Sequence, residues 1–192
     1  LNSSAIFSPC GRFRLRLDRI LCDGQHAVVC MANPSKAGAD QNDPTIATLN
    51  RLLPARGIGR YTVCNQETYI ATDPADMRAW RDEFAARDFE GYRAHRRSVL
   101  EVIREISAEA DIRIAAWGRL MSNDPLVVAA LSHDGRYSLY ALGFTGDGQP
   151  KHPLARGKER IAADAPLILW RRGAADDGVA GHSPAAEEQH YG

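Results

Sequence analysis

The sequence predicts a three-layer α/β/α fold around a mostly parallel sheet. Four short apolar runs, at 26–32 (HAVVCMA), 61–64 (YTVC), 112–117 (IRIAAW) and 137–142 (YSLYAL), have the length and character of strands buried inside a sheet. Helical patterns separate them, and such alternation gives right-handed crossovers with parallel pairing. A fifth run, 12–17 (RFRLRL), alternates charged and apolar residues. That is the period-two signature of a half-exposed strand, expected here as an N-terminal edge strand beside about four central ones.

The intervening segments follow in order. Ile46, Leu49, Leu52 and Leu53 are helically spaced, with Asp43 placed as N-cap, Pro44 at the first helical position and Pro54 as the stop. Asp73-Pro74 opens a second helix over 74–86. The helix after it carries Tyr92, Val99, Val102, Ile103 and Ile106 on one face and Arg93, Arg96, Arg97 and Arg104 on the others. Those arginines read as a solvated face, with Glu101 in pairing distance of Arg97 and Arg104. Residues 125–131 form a fourth helical pattern.

At 192 residues the chain suits one domain, and 44% hydrophobic content supplies a real core. No apolar run reaches the roughly 18 residues of a membrane span, and no secretory leader pattern opens the sequence. A cytoplasmic monomer is expected. Lysine plus arginine and aspartate plus glutamate both count 24. The only charged residues in 173–192 are Asp176, Asp177, Glu187 and Glu188, so residues 1–172 carry 24 basic and 20 acidic groups, a net of +4. The reading is therefore one α/β domain over 1–172 and a flexible acidic tail over 173–192. A mildly basic body permits a phosphate-bearing partner without requiring one.

Cys10, Cys22, Cys30 and Cys64 make no CxxC, and the six histidines have no metal-ligand spacing. Walker, GxGxxG, HExxH and GxSxG patterns are absent from the sequence. No cofactor or metal is expected. A Cys64 thiol with His152 as base is disfavoured because Cys64 falls inside a strand.

In open α/β sheets ligands sit at the carboxyl ends of the strands, so the residues after each run are informative. They are Asn33-Pro34-Ser35-Lys36, then Asn65 with Tyr69 beyond it, then Trp117-Gly118, and last Gly143-Phe144 followed by Lys151-His152-Pro153-Leu154. Each has a structural reading beside a functional one. Asn33 serves as a turn starter or a site residue, Asn65 as a strand cap or a site residue, and Trp117 as core or stacking surface. His152, between Lys151 and Pro153, suits a site better than a core.

The series MANPS (31–35), NDPTIATL (42–49), ATDP (71–74), AAWG (115–118), ALG (141–143) and GQPKHPL (148–154) resembles a bacterial and phage family, domain-of-unknown-function family 1643, over about 8–154. The order of signals is also similar to the uracil-DNA glycosylase superfamily, which implies a uracil-DNA-glycosylase-like fold. In that superfamily a first strand runs into a loop bearing a catalytic Asp or Asn, a later one ends in a base-reading Asn, and a His-Pro motif lies near the leaving base. Asn33, Asn65 and His152 with Leu154 resemble these positions. The usual second Ser-Pro is missing from the last motif, and Tyr69 and Phe144 are candidates for the stacking aromatic.

The resemblance implies a DNA glycosylase that flips a modified or mismatched pyrimidine out of single- or double-stranded DNA and cleaves its N-glycosidic bond. Asn33 and His152 would be catalytic, and Asn65, Tyr69, Phe144 and Trp117 would hold the base. Ser35, Lys36, Lys151, Leu154 and Arg156 would contact DNA, Leu154 filling the gap in the stack. The phage members imply antiviral defence or phage base metabolism. The alternatives are a non-catalytic reader of nucleic acid or nucleotide using the same pocket, and a hydrolase of free modified nucleosides.

Overall fold

A computed structural model describes residues 3–175. One seven-stranded sheet runs through it, built from β1 (Ser3–Phe7), β2 (Arg14–Ile20), β3 (Gln25–Met31), β4 (Ile58–Asn65), β5 (Ile112–Ala115), β6 (Leu139–Ala141) and β7 (Ile168–Arg171). The spatial order is β1-β2-β4-β3-β5-β6-β7. The four expected strands are its parallel centre, β4-β3-β5-β6. Their register aligns Cys30 with both Cys64 and Ala115, and Ala115 with Ala141, so all four end along one rim.

Strand β3 shows why such runs belong inside. Ala27, Val29 and Met31 enter the apolar core on one face, while Val28, Cys30 and Ala32 enter the core on the other. The first core is closed by α1 (Pro44–Leu52), which buries Ile46, Leu49 and Leu52; Asp43 caps it by accepting from the Ile46 amide at 2.9 Å. The second is closed by α3 (Phe89–Ala108) and α4 (Pro125–Ser132), through Val99, Ile103, Ile106, Val127 and Leu131. Helix α2 (Pro74–Arg87) buries only Met77 and lies outside against α3. The result is three layers, α/β/α.

Two expectations need correction. The N-terminal run is not an edge strand: β2 pairs antiparallel with β4 on one side and with β1 on the other. The edge is instead Ser3–Phe7, whose half-exposed residues lack an apolar period. Strand β7 was also unexpected, because Ile168 and Leu169 are exposed and leave only Trp170 to reach the core. Beyond it Gly173, Ala174 and Ala175 return hydrogen bonds to residues 135–138. The rest of the 173–192 segment lies outside the described residues. Among the described residues no helix is long and apolar enough to cross a membrane.

Candidate functional site

The chain leaves β3 through α1 toward β4 on one side and leaves β5 through α4 toward β6 on the other. Neighbouring strands whose connections diverge leave a crevice at their carboxyl ends, the usual ligand position. The loops there interlock. Gln66 and Glu67 amides donate to Met31 and Ala32 carbonyls at 2.8 and 3.0 Å, Ala71 donates to Pro34, and Gly118 donates to Pro150 at 2.9 Å.

Asn33 is half-buried directly after β3. Its Nδ2 donates to the Pro34 carbonyl at 3.0 Å and to the Ala71 carbonyl at 2.9 Å. Both partners are acceptors, so the amide has only one sensible orientation. Its Oδ1 is the half left without a partner among the described residues, an acceptor held at the rim by a fixed amide.

His152 reaches the same rim from the loop after β6. It lies over Gly118, where a Cβ would stand 2.9 Å from the His152 Cβ. With φ of +65° this position favours glycine for conformation as well as space. The Leu154 amide donates to His152 Nδ1 at 3.2 Å. That bond fixes the tautomer: Nδ1 accepts, so Nε2 carries the hydrogen. Burial holds the imidazole down to about 4, and the carboxylate of Asp43 pulls weakly the other way. At neutral pH His152 is therefore an uncharged donor. It lines a cleft of about 240 Å³ with Arg119, Leu120, Thr145, Leu154 and Ala155.

Asn65 is buried, and its Oδ1 accepts from Arg14 Nη2 at 3.3 Å. Arginine only donates, so this orientation too is forced, and the two Nδ2 hydrogens face elsewhere without a partner among the described residues. Arg14 also donates to the Ala37 carbonyl at 3.0 Å, and its Nε is unpaired. Burial lowers its guanidinium to about 10, against the pull of Asp43. Gln66 Oε1, Glu67 Oε2 and Thr68 Oγ1 are likewise buried and unpartnered among the described residues. Buried polar atoms are rarely left so, and a run of them at one strand end marks a site. Glu67 also faces Tyr92 Oη at 3.1 Å and Arg96; burial raises its carboxyl and Arg96 draws it back.

The remaining expected residues divide. Trp117 is fully buried, donates Nε1 to Asn123 Oδ1 at 3.1 Å and meets Trp170 edge-on, so it is core and its faces cannot stack a base. Tyr69 lies flat on Trp80, centroids 4.7 Å apart, with the Arg12 guanidinium 5.3 Å from its ring. It belongs to an aromatic cluster with Phe13, Phe84, Tyr92 and His95 rather than to the cleft. Phe144 is half-buried beside the Pro150 bridge and meets no other ring among the described residues. Leu154 and Lys151 are half-buried, the Lys151 stem lying against Gly143. Ser35 is half-buried, whereas Lys36 and Arg156 are exposed. The buried Cys30 and Cys64 are register partners inside the sheet, and Cys10 and Cys22 are exposed.

Two contributors escaped the sequence reading. Asp43 was legible as a helix cap, yet its charge is also felt at His152 and Arg14. Arg14 was hidden because β2 runs antiparallel, which brings its first residue to the rim where the parallel strands end. A basic residue in an alternating strand carries no signal of that placement.

Comparison with known proteins adds a family. The model described as protein of unknown function, DUF1643, matches residues 12–154. No curated protein and no solved structure matches the chain.

Proposed function

Because the chain belongs to the DUF1643 family, whose description states no activity, we propose a function from the rim itself: a DNA glycosylase-like hydrolase acting on a modified or mismatched pyrimidine. One observation carries this reading. An amide with only its acceptor free, Asn33 after β3, and an imidazole kept neutral with Nε2 as donor, His152 from the loop after β6 and packed over Gly118 beyond β5, stand along one rim of the parallel strands.

Hydrolysis of a base–sugar bond needs those two functions on opposite sides of the sugar. Asn33 Oδ1 accepts a hydrogen bond from water and aims it at C1′. The C1′–N bond breaks with its electron pair on the base, the water oxygen bonds C1′, and the water's proton passes to solvent. His152 Nε2–H donates to the anion growing on the base, which later takes a proton from solvent. Preorganised donors of this kind are the largest single contribution in many such sites. An uncharged donor suits the task because it stabilises the anion without needing to titrate. Asn65 Nδ2 offers donors to a base carbonyl, Phe144 a face for stacking and Leu154 a wedge for the vacated stack. Ser35, Lys36, Lys151 and Arg156 hold phosphates, which position DNA without reading it.

The test is a nicking assay on DNAs carrying uracil, mismatched thymine or phage-type modified pyrimidines, each treated with alkali. Wild type should give alkali-dependent cleavage of at least one. Asn33→Ala and His152→Ala should each lose about 100-fold or more with the fold retained. Cleavage unaffected by either substitution overturns the assignment, and binding without any product points to a non-catalytic reader. Excision of phage-type bases in particular would place the protein in antiviral defence or phage base metabolism.

A further inference from the structure

A second cleft, of about 410 Å³, adjoins the one holding His152 and shares Leu154 and Ala155 with it. Its charged lining is entirely basic: Arg51 from the last turn of α1, and Arg156 and Arg160 from the segment after His152. All three side chains are exposed and make no hydrogen bond or ion pair among the described residues.

The walls are built rather than loose. Ile161 is buried in the α1-side core, and Arg56 donates to the Ala162 and Ala163 carbonyls at 3.1 and 3.0 Å, tying this segment to the end of α1. Pro153 is buried, and the Ala155 amide closes a turn onto the His152 carbonyl at 2.9 Å. The nearby acids make no ion pair with these arginines among the described residues. Glu159 binds Arg119 at 2.7 and 3.1 Å on the His152 side, and the charge of Asp164 acts on Arg56. Three guanidinium groups without counterions around a fixed cleft match the planar, multivalent chemistry of phosphate.

We propose that this cleft is a phosphodiester subsite, in which Arg51, Arg156 and Arg160 hold the nucleic-acid backbone next to the nucleotide presented to His152. The inference rests on the nucleic-acid reading above, but not on catalysis. Two or three phosphates beside the flipped nucleotide would fix the strand and leave the base free to be tested by the rim.

Anisotropy titrations of the full chain with labelled oligonucleotides lacking any target base, at several salt concentrations, test it apart from excision. The triple variant R51Q/R156Q/R160Q should bind at least tenfold more weakly at low salt. Its log–log salt slope should be shallower by about 2, since each phosphate contact contributes about 0.7–0.9. R97Q, an exposed arginine on α3 in the opposite layer, should match wild type, and melting temperatures check that every variant folds. Wild-type affinity and slope in the triple variant overturn the proposal, as does a wild-type chain that binds no oligonucleotide. A free nucleoside monophosphate serves as the second ligand. If it binds wild type as tightly as the oligonucleotide and the triple variant loses both, the cleft takes a single phosphate and the strand proposal fails. Loss of oligonucleotide binding in the triple variant upholds the subsite even where wild type releases no base, so the two readings fail separately.

Discussion

Asn33 cannot become aspartate at no cost, because its Nδ2 donates to two carbonyl oxygens, those of Pro34 and Ala71. A carboxylate there would set oxygen against oxygen twice. Asn33→Asp should lose about 1–3 kcal/mol at pH 7, with the deficit shrinking in acid as the new carboxyl protonates and regains a donor; denaturant melts measure both, and equal stability at pH 7 would show that the clamp is not what holds the loop. His152 gives a second residue-level expectation. Its folded value of about 4 lies below the ordinary 6.5, so between these limits the unfolded chain binds a proton that the folded chain refuses. The stabilisation is complete above pH 6.5 and is lost as pH falls toward 4, by about 3 kcal/mol. His152→Asn keeps an acceptor for the Leu154 amide but does not titrate, so the gap between the two stability profiles should change across this window; a pH-independent gap would contradict the burial argument. Asn33 could be found in the sequence because it follows a buried strand, and His152 because it stands between Lys151 and Pro153 in the loop after one; their atoms' roles could not, since those are set by Pro34, Ala71 and Leu154. Trp117 misled because a Trp-Gly at a strand end looks the same whether its ring faces a cleft or the core.

The elements carry the site by where they stop. Strands β3 and β5 end side by side, and the turn after β5 passes so close to the His152 loop that residue 118 has no room for a side chain. Gly118→Ala adds a Cβ at a left-handed φ and 2.9 Å from His152. The expected result is a loss of about 1–2 kcal/mol in stability together with weakened excision, because His152 must move to relieve the contact. A variant with full stability and activity would show that this approach does not position the histidine. The parallel strands and helices were legible because β3 is an unbroken apolar run of strand length and the amphipathic α1 and α3 have clean helical periods. The flanking strands were not: β1 and β7 are largely exposed and bury few apolar side chains, so neither shows an apolar period that announces it. The same gap placed β2 at the edge and hid Arg14 from the rim.

For the whole molecule, the zero net charge conceals local differences. Arg119 pairs with Asp147 and Glu159, while Arg51, Arg156 and Arg160 line the cleft beside the one holding His152 and make no ion pair among the described residues. The family match over residues 12–154 covers the strand ends that form the rim and the loop bearing His152, in agreement with the resemblance read from MANPS to GQPKHPL. The reaction itself was not legible, because an asparagine and a histidine define a donor and an acceptor but not the bond between them. The most direct measurement is therefore the released base, identified by its mass after incubating the full chain with DNA bearing modified or mismatched pyrimidines, beside the Asn33→Ala/His152→Ala variant. Wild type should release one free base and leave an abasic strand in equal amounts, and the variant should give neither. Tight binding of the same DNA with no base released by wild type would contradict the glycosylase reading.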